Sequence, residues 1–312
     1  MYSKKNSNKE IHLYTIAEGT GHINRMIPLA IFLKKYYKNL FVFFFNPNPN
    51  LKNTWIKNYL KKMNWNQKFP YKIFNNPSEL DVFEEKTYYL IMDIRDHNPL
   101  KFTKFYKNAK VLCLDNYFNK KIKNYQYLQS LPSAKSKENI KRILSNFFIN
   151  STLLTLITKR KKTNEDSILF YLGIQKKQLK HPKKILKEIN KQFNHKSLKN
   201  TFLIDPKNFY TSYQFYKILL RSKLVITYPG ILLYESILLG KNVLIYPTES
   251  TIHKMILNQI KNDCKNYFIK EIKIVNLKFL YFNFKNFDKE IQYNLWTPYR
   301  KIKNWLKEYE EF

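Results

Sequence analysis

With 312 residues, 44% of them hydrophobic, the chain is long for one ordinary domain and has apolar side chains for two cores of about 150 residues each. Its formal charge of +33, from 56 Lys and Arg against 23 Asp and Glu, is spread along the whole length with abundant Asn, Ile, Tyr and Phe and only five Gly, as an A/T-biased coding sequence produces, and this argues against a nucleic-acid partner. Cys113 and Cys264 are the only cysteines and stand far apart, which excludes a disulfide framework and a CxxC metal pair.

The first ten residues, Met1 to Glu10, are polar and lack the apolar core of an export signal, so a cytoplasmic location is expected. Ile11 to Ala17 reads as a buried strand, and the loop Glu18-Gly19-Thr20-Gly21-His22 joins it to a helix. In that helix Ile23, Met26, Ile27, Leu29, Ala30 and Leu33 recur at helical spacing. The next strand, Leu40 to Phe45, closes in the turn Asn46-Pro47-Asn48-Pro49. It is also the longest strongly apolar run, and at six residues it falls far short of the ~20 that span a bilayer. Strand, helix and strand have the length of a parallel βαβ unit. Tyr88 to Met92, ending at Asp93, and Lys110 to Leu114, ending at Asp115, read as buried strands with an acid at the carboxyl end. In open α/β sheets ligands gather outside those ends.

The polar stretch Lys159 to Asp166 divides the chain into residues 1–160 and 165–312. Its cluster Lys159-Arg160-Lys161-Lys162 reads as a solvated face. Beyond it the pattern restarts with a strand from Ser167 to Leu172 ending at Gly173, a helix from about Lys176 to Phe193, and a short strand from Phe202 to Ile204. Then come a helix from Tyr213 to Arg221, a strand from Leu224 to Thr227, a helix from Leu232 to Leu239 and a strand from Asn242 to Tyr246. Two successive blocks of alternating strands and helices predict an α/β protein of two doubly wound domains facing each other. The tail from Lys289 to Phe312 is aromatic, charged and mostly helical in pattern, with Pro298 as an interruption, and is expected to pack back across the interdomain hinge.

The glycines, Gly19, Gly21, Gly173, Gly230 and Gly240, are scarce enough to mark places where a side chain would clash or φ must be positive. Gly19-Thr20-Gly21 ends at a helix start, where amides and the helix dipole favour an anion or an oxygen-rich ligand. His22 follows directly and reads either as a general base or as a helix cap. Arg25, one turn on, suits a phosphate, a carboxylate or a buried ion pair. In the second half a strand ends in Tyr228-Pro229-Gly230, and a helix beginning at Ile231 runs to Gly240. Glu235 stands there among Leu232, Leu233, Ile237, Leu238 and Leu239, where a lone buried charge would cost several kcal/mol. Either the diol of a ribose or a nearby Lys would meet it. Thr248, Glu249, Ser250, His253, Asn258 and Gln259 follow the next strand and suit sugar hydroxyls, although each alone is also an ordinary turn or cap residue.

The segments 16–30, 110–120 and 224–248 together resemble the GT-B glycosyltransferase superfamily. Within it they are most similar to the peptidoglycan N-acetylglucosaminyltransferases, and to the UDP-sugar hydrolases of pseudaminic acid synthesis with the related spore-coat polysaccharide glycosyltransferase-like proteins. The resemblance implies two Rossmann-like domains across a cleft, with residues 1–160 the acceptor and catalytic domain and residues 165–312 the nucleotide-sugar domain. It implies His22 as the base, Gly230 at the diphosphate and Glu235 on the ribose. The substrate-binding set expected around them is Gly19, Thr20, Gly21, Arg25, Asp93, Asp115, Gly173, Ile231, Thr248 and Glu249. The chain departs from the pattern at Pro229, at Ile231 to Leu233 in place of hydroxyl residues, and at Asn116 in place of a second acid. The expected activity is transfer from a nucleotide diphosphate sugar, UDP-linked, to a glycan, lipid-linked or protein acceptor in surface or flagellar glycan synthesis. Hydrolysis of the UDP-sugar and a non-catalytic binding protein are the alternatives. No cofactor and no metal are expected, since no DxD pair is present, and a lipid-linked acceptor would bring the protein to the inner membrane face.

Overall fold

Apolar strands alternating with amphipathic helices build two sheets of six strands each. The computed structural model describes residues 10–17, 20–48, 52–62, 65, 69–83, 87–116, 118, 120–131, 139–158, 167–171, 182–192, 200–204, 212–247, 250–287 and 296–308. The chain divides into two units, one of Met1–Leu131, Asn146–Asn150 and Trp296–Phe312, the other of Pro132–Ser145 and Ser151–Leu295.

In the first unit the order is β1 (Glu10–Ile16), α1 (Thr20–Lys34), β2 (Leu40–Phe45), α2 (Thr54–Lys62), β3 (Tyr71–Phe74), β4 (Tyr88–Asp93), α3 (Leu100–Thr103), β5 (Ala109–Leu114) and β6 (Gln126–Leu128). All neighbouring strands run parallel, in the spatial order β3-β2-β1-β4-β5-β6. The chain winds outward from β1 to β3 and then restarts at β4 on the other side of β1. That reversal opens a crevice at the carboxyl ends of β1 and β4, the place where doubly wound sheets hold ligands. All six residues of β4 are buried, as expected of a central parallel strand. Tyr14, Ile16, Phe43, Phe45, Phe74, Leu90, Met92 and Phe102 form the core of this unit.

The second unit contains α4 (Ile140–Leu144), α5 (Ser151–Thr158), β7 (Ser167–Tyr171), α6 (Pro182–Gln192), β8 (Asn200–Ile204), α7 (Ser212–Arg221), β9 (Ser222–Thr227), α8 (Ile231–Leu238), β10 (Asn242–Ile245), α9 (Thr251–Asp263), β11 (Phe268–Ile274) and β12 (Leu277–Asn283). Strands β8, β7, β9 and β10 are parallel, and β12 and β11 extend the sheet antiparallel in the order β11-β12-β10-β9-β7-β8. Here the reversal lies between β7 and β9. Helix α8 ends in a Schellman motif: the Gly240 amide donates to Ile237 at 3.0 Å and the Lys241 amide to Ser236 at 3.0 Å. Gly240 holds a φ of +62, and a Cβ there would lie 3.3 Å from the carbonyl oxygens of Phe284 and Lys285.

The division into 1–160 and 165–312 expected from the sequence differs from these units at both ends. Residues 132–145 and 151–158 belong with the second unit. There α4 packs on α9, whose Asp263 accepts from the Ile140 amide at 2.9 Å, and α5 packs on α7. Residues 146–150 return to the first unit, where Asn146 donates to the Gln129 carbonyl at 3.1 Å. The tail helix α10 (Thr297–Lys307) also joins the first unit, packing on α1, and its Tyr299 hydroxyl donates to the Ile149 carbonyl at 2.8 Å. Pro298 does not interrupt this helix; it occupies the first turn, where a missing N–H costs nothing.

Candidate active site

Only three residues separate β1 from α1, so the first turn of the helix stands over the carboxyl end of β1, beside that of β4. His22 is the third residue of the helix, and its Nδ1 lies 2.8 Å from Oδ1 of Asp93, the last residue of β4. One turn on, Arg25 donates from Nε to Asp93 Oδ2 at 3.1 Å and pairs through its second terminal nitrogen with Asp93 Oδ1. The guanidinium's remaining nitrogen pairs with Asp115, at the end of β5, and donates to Ser130 Oγ at 3.1 Å. Asp115 accepts in addition from the Ser130 amide at 2.6 Å, the Ser130 hydroxyl at 2.5 Å and the Leu131 amide at 2.8 Å. Its φ of +45 is in the left-handed region, which Asp tolerates better than most residues, and it brings the carboxylate beneath those donors.

Asp93 has no exposed surface, Asp115 is 2% exposed and Arg25 4%. A lone carboxylate in such a place would cost several kcal/mol. Burial pushes the Asp93 carboxyl up, but the charges of Arg25 and His22 and their hydrogen bonds outweigh it, holding Asp93 well below the usual carboxylate range. An ionised Asp93 only accepts, so the proton of a neutral His22 sits on Nδ1 and the lone pair on Nε2. The His22 side chain is 11% exposed, and its Nε2 has no hydrogen-bond partner among the described residues. An imidazole oriented by a buried carboxylate, with its far nitrogen open, can accept a proton from a hydroxyl or a water.

The four expected residues Arg25, Asp93, Asp115 and His22 are therefore brought together: His22, Asp93 and Arg25 touch one another, and Asp115 joins them through Arg25. Arg25 is held in a buried ion pair by two carboxylates of the fold. Gly21 and the start of the helix at Thr20 lie beside His22, while Gly19 falls outside the described residues. Ser130 was not expected. It follows a three-residue edge strand, too short to show a period, and only the three-dimensional approach to Arg25 reveals it.

The second unit places Gly230 at the N-cap of α8 and Ile231 as its first residue, at the carboxyl end of β9. Gly230 is extended there, and a Cβ would lie 3.2 Å from the Tyr228 ring. Glu235, 2% exposed, accepts a hydrogen bond from the Tyr216 hydroxyl of α7 at 2.9 Å. Three tyrosines missed at the sequence level gather at the strand ends. Tyr171 of β7 stacks on Tyr228 with centroids 6.0 Å apart, and Tyr228 lies 5.8 Å from Tyr246 and 5.5 Å from His253. The readable signal was an aromatic residue at or just after the end of each of β7, β9 and β10. Ser250 caps α9, accepting from the His253 amide, so at that position the cap reading is the observed one. Gly173, Thr248 and Glu249 lie outside the described residues.

Among the described residues no group of three or more His, Cys, Asp and Glu is placed to hold a metal ion, and no helix is long and apolar enough to cross a membrane. Compared with protein-family models and with curated proteins, the chain matches none.

Proposed function

We propose that this protein is a GT-B glycosyltransferase that moves a sugar from a nucleotide diphosphate sugar, UDP-linked, to an acceptor hydroxyl of a glycan, a lipid-linked precursor or a protein. The observation that carries this reading is the Asp93–His22 pair at the carboxyl ends of β1 and β4, with Nε2 of His22 unpaired among the described residues. In the reaction Nε2 takes the proton of the acceptor hydroxyl while its oxygen bonds to the anomeric carbon. The bond from that carbon to the diphosphate breaks, and the nucleotide leaves with the electron pair. Asp93 stabilises the imidazolium that forms and holds the ring in its productive tautomer. The α8 N-terminus with Gly230 and Ile231 is the proposed contact for the diphosphate.

The test begins with calorimetric binding of UDP, GDP and CMP, followed by product analysis with the sugar donors of whichever nucleotide binds. His22→Ala is expected to lower turnover by about 10²–10⁴-fold while nucleotide binding persists. Unchanged turnover in the variant would sink His22 as the base. A free sugar as sole product would assign the same site to hydrolysis, with water in the acceptor's place. The altered turn, with Pro229 before Gly230 and apolar Ile231 to Leu233 after it, favours a second reading, a non-catalytic member of the same fold. Absence of binding by all three nucleotides is the outcome that reading expects.

A further inference from the structure

Among the described residues three charged groups surround His22 in a fixed order. Asp93, from β4, and Arg25, from the same helix as His22, contact the imidazole, at 2.8 Å and 3.3 Å from Nδ1; Asp115, from the end of β5, reaches it only through Arg25. Arg25 spends two nitrogens on Asp93 and the third on Asp115 and Ser130, so its planar fork cannot turn without breaking one side or the other. Among the described residues, two carboxylates against one guanidinium leave one net negative charge when the imidazole is neutral, and none when it is protonated.

We propose that Arg25 is a positioning residue that, braced by Asp115 and Ser130, orients Asp93 behind His22 and sets how readily the imidazole holds a proton. The proposal rests on the reading of His22 as the base and deepens it. Its physical content is a pair of opposite signs. Arg25→Gln removes a positive charge beside the ring and makes protonation of His22 easier. Asp115→Asn removes a negative charge, leaves Arg25 less compensated, and makes the same protonation harder. Asn keeps an oxygen for the Ser130 and Leu131 amides, so the turn after β5 retains its hydrogen bonds.

The experiment is a pH titration of the His22 Hε1 resonance by NMR, the signal being assigned by its loss in His22→Gln. The midpoint is expected to rise by about half a unit to one unit in Arg25→Gln and to fall by a similar amount in Asp115→Asn. Midpoints that move in the same direction, or do not move, overturn the proposal, since a general loosening of the site has no reason to produce opposite signs. If Arg25→Gln does not fold, Asp115→Asn decides alone: a lowered midpoint supports the role and an unchanged or raised one removes it. Release of UDP from UDP-N-acetylglucosamine, measured in parallel, separates this inference from the one beneath it. Opposite shifts without turnover of any nucleotide sugar would keep the positioning role and remove the transfer reading; turnover with unmoved midpoints would do the reverse.

Discussion

At the scale of single residues the first unit holds a second buried histidine whose chemistry is structural. His12 on β1 is 1% exposed, boxed by the rings of Phe41, Phe43, Phe83, Tyr88 and Tyr106. Its Nδ1 lies 2.6 Å from the Tyr106 hydroxyl and its Nε2 3.0 Å from the Glu10 carboxylate. Burial pushes the imidazole below 6.5, and Glu10 pulls it only part of the way back. The unfolded chain therefore binds a proton that the folded chain excludes. Stability is full above the unfolded value of about 6.5 and falls as pH drops below it, by up to about 1.4 kcal/mol per pH unit until the folded value is reached. Thermal unfolding between pH 7.5 and 5 should show that loss, and His12→Gln should flatten it even if the variant is less stable at pH 7.5. An equal slope in both proteins would place the acid sensitivity elsewhere, His253 being the next group pushed down by burial.

At the scale of elements, much of the central parallel strands was readable because both of their faces are covered and they appear as unbroken apolar runs. Leu40–Phe45 is an example, with five of its six residues buried. Edge strands β3 and β6, of four and three residues, carry too few residues for a period. The β11–β12 hairpin was missed for another reason. Its two-residue turn is Val275-Asn276, both at positive φ, and a β-branched residue stands where Asn-Gly would advertise the turn. Gly240 was legible for the opposite reason, since glycine just past a helical run is the expected stop. Replacing it by Ala forces a left-handed residue with a side chain against two backbone carbonyls. Gly240→Ala should lower stability by about 1–2 kcal/mol, read as a lower urea midpoint with an unchanged slope. No change would mean that the loop after β12 yields.

For the whole molecule, the composition pointed to two α/β units, while the path of the chain between them was hidden. Which unit a helix joins depends on contacts distant in sequence, such as Ile140 with Asp263 and Tyr299 with Ile149. The histidine and its acids were legible as separate positions, Asp93 and Asp115 because each closes an apolar run. Their mutual engagement was not, because 71 residues separate His22 from Asp93 and 90 separate Arg25 from Asp115. The tail helix makes the same point about packing. Tyr299, Ile302, Trp305 and Leu306 are buried, with Tyr299 5.2 Å from Phe32 of α1 and Trp305 6.1 Å from Tyr89 of β4, centroid to centroid. Trp305→Ala should destabilise the first unit by about 3–5 kcal/mol, measured by denaturant unfolding monitored in that unit. A loss confined to the second unit would contradict the assignment of α10.

The chain passes from one unit to the other four times, after residues 131, 145, 150 and 295. During synthesis this has a temporal consequence. The helix that carries His22 emerges early, but the helix that packs on it, α10, is translated only after the entire second sheet. Until then the first unit has α1 seated on its sheet but with the Phe32 contact to the tail helix unfilled. Closure over the helix bearing the proposed base thus follows synthesis of the second unit, and a chain interrupted between that helix and residue 296 would lack it.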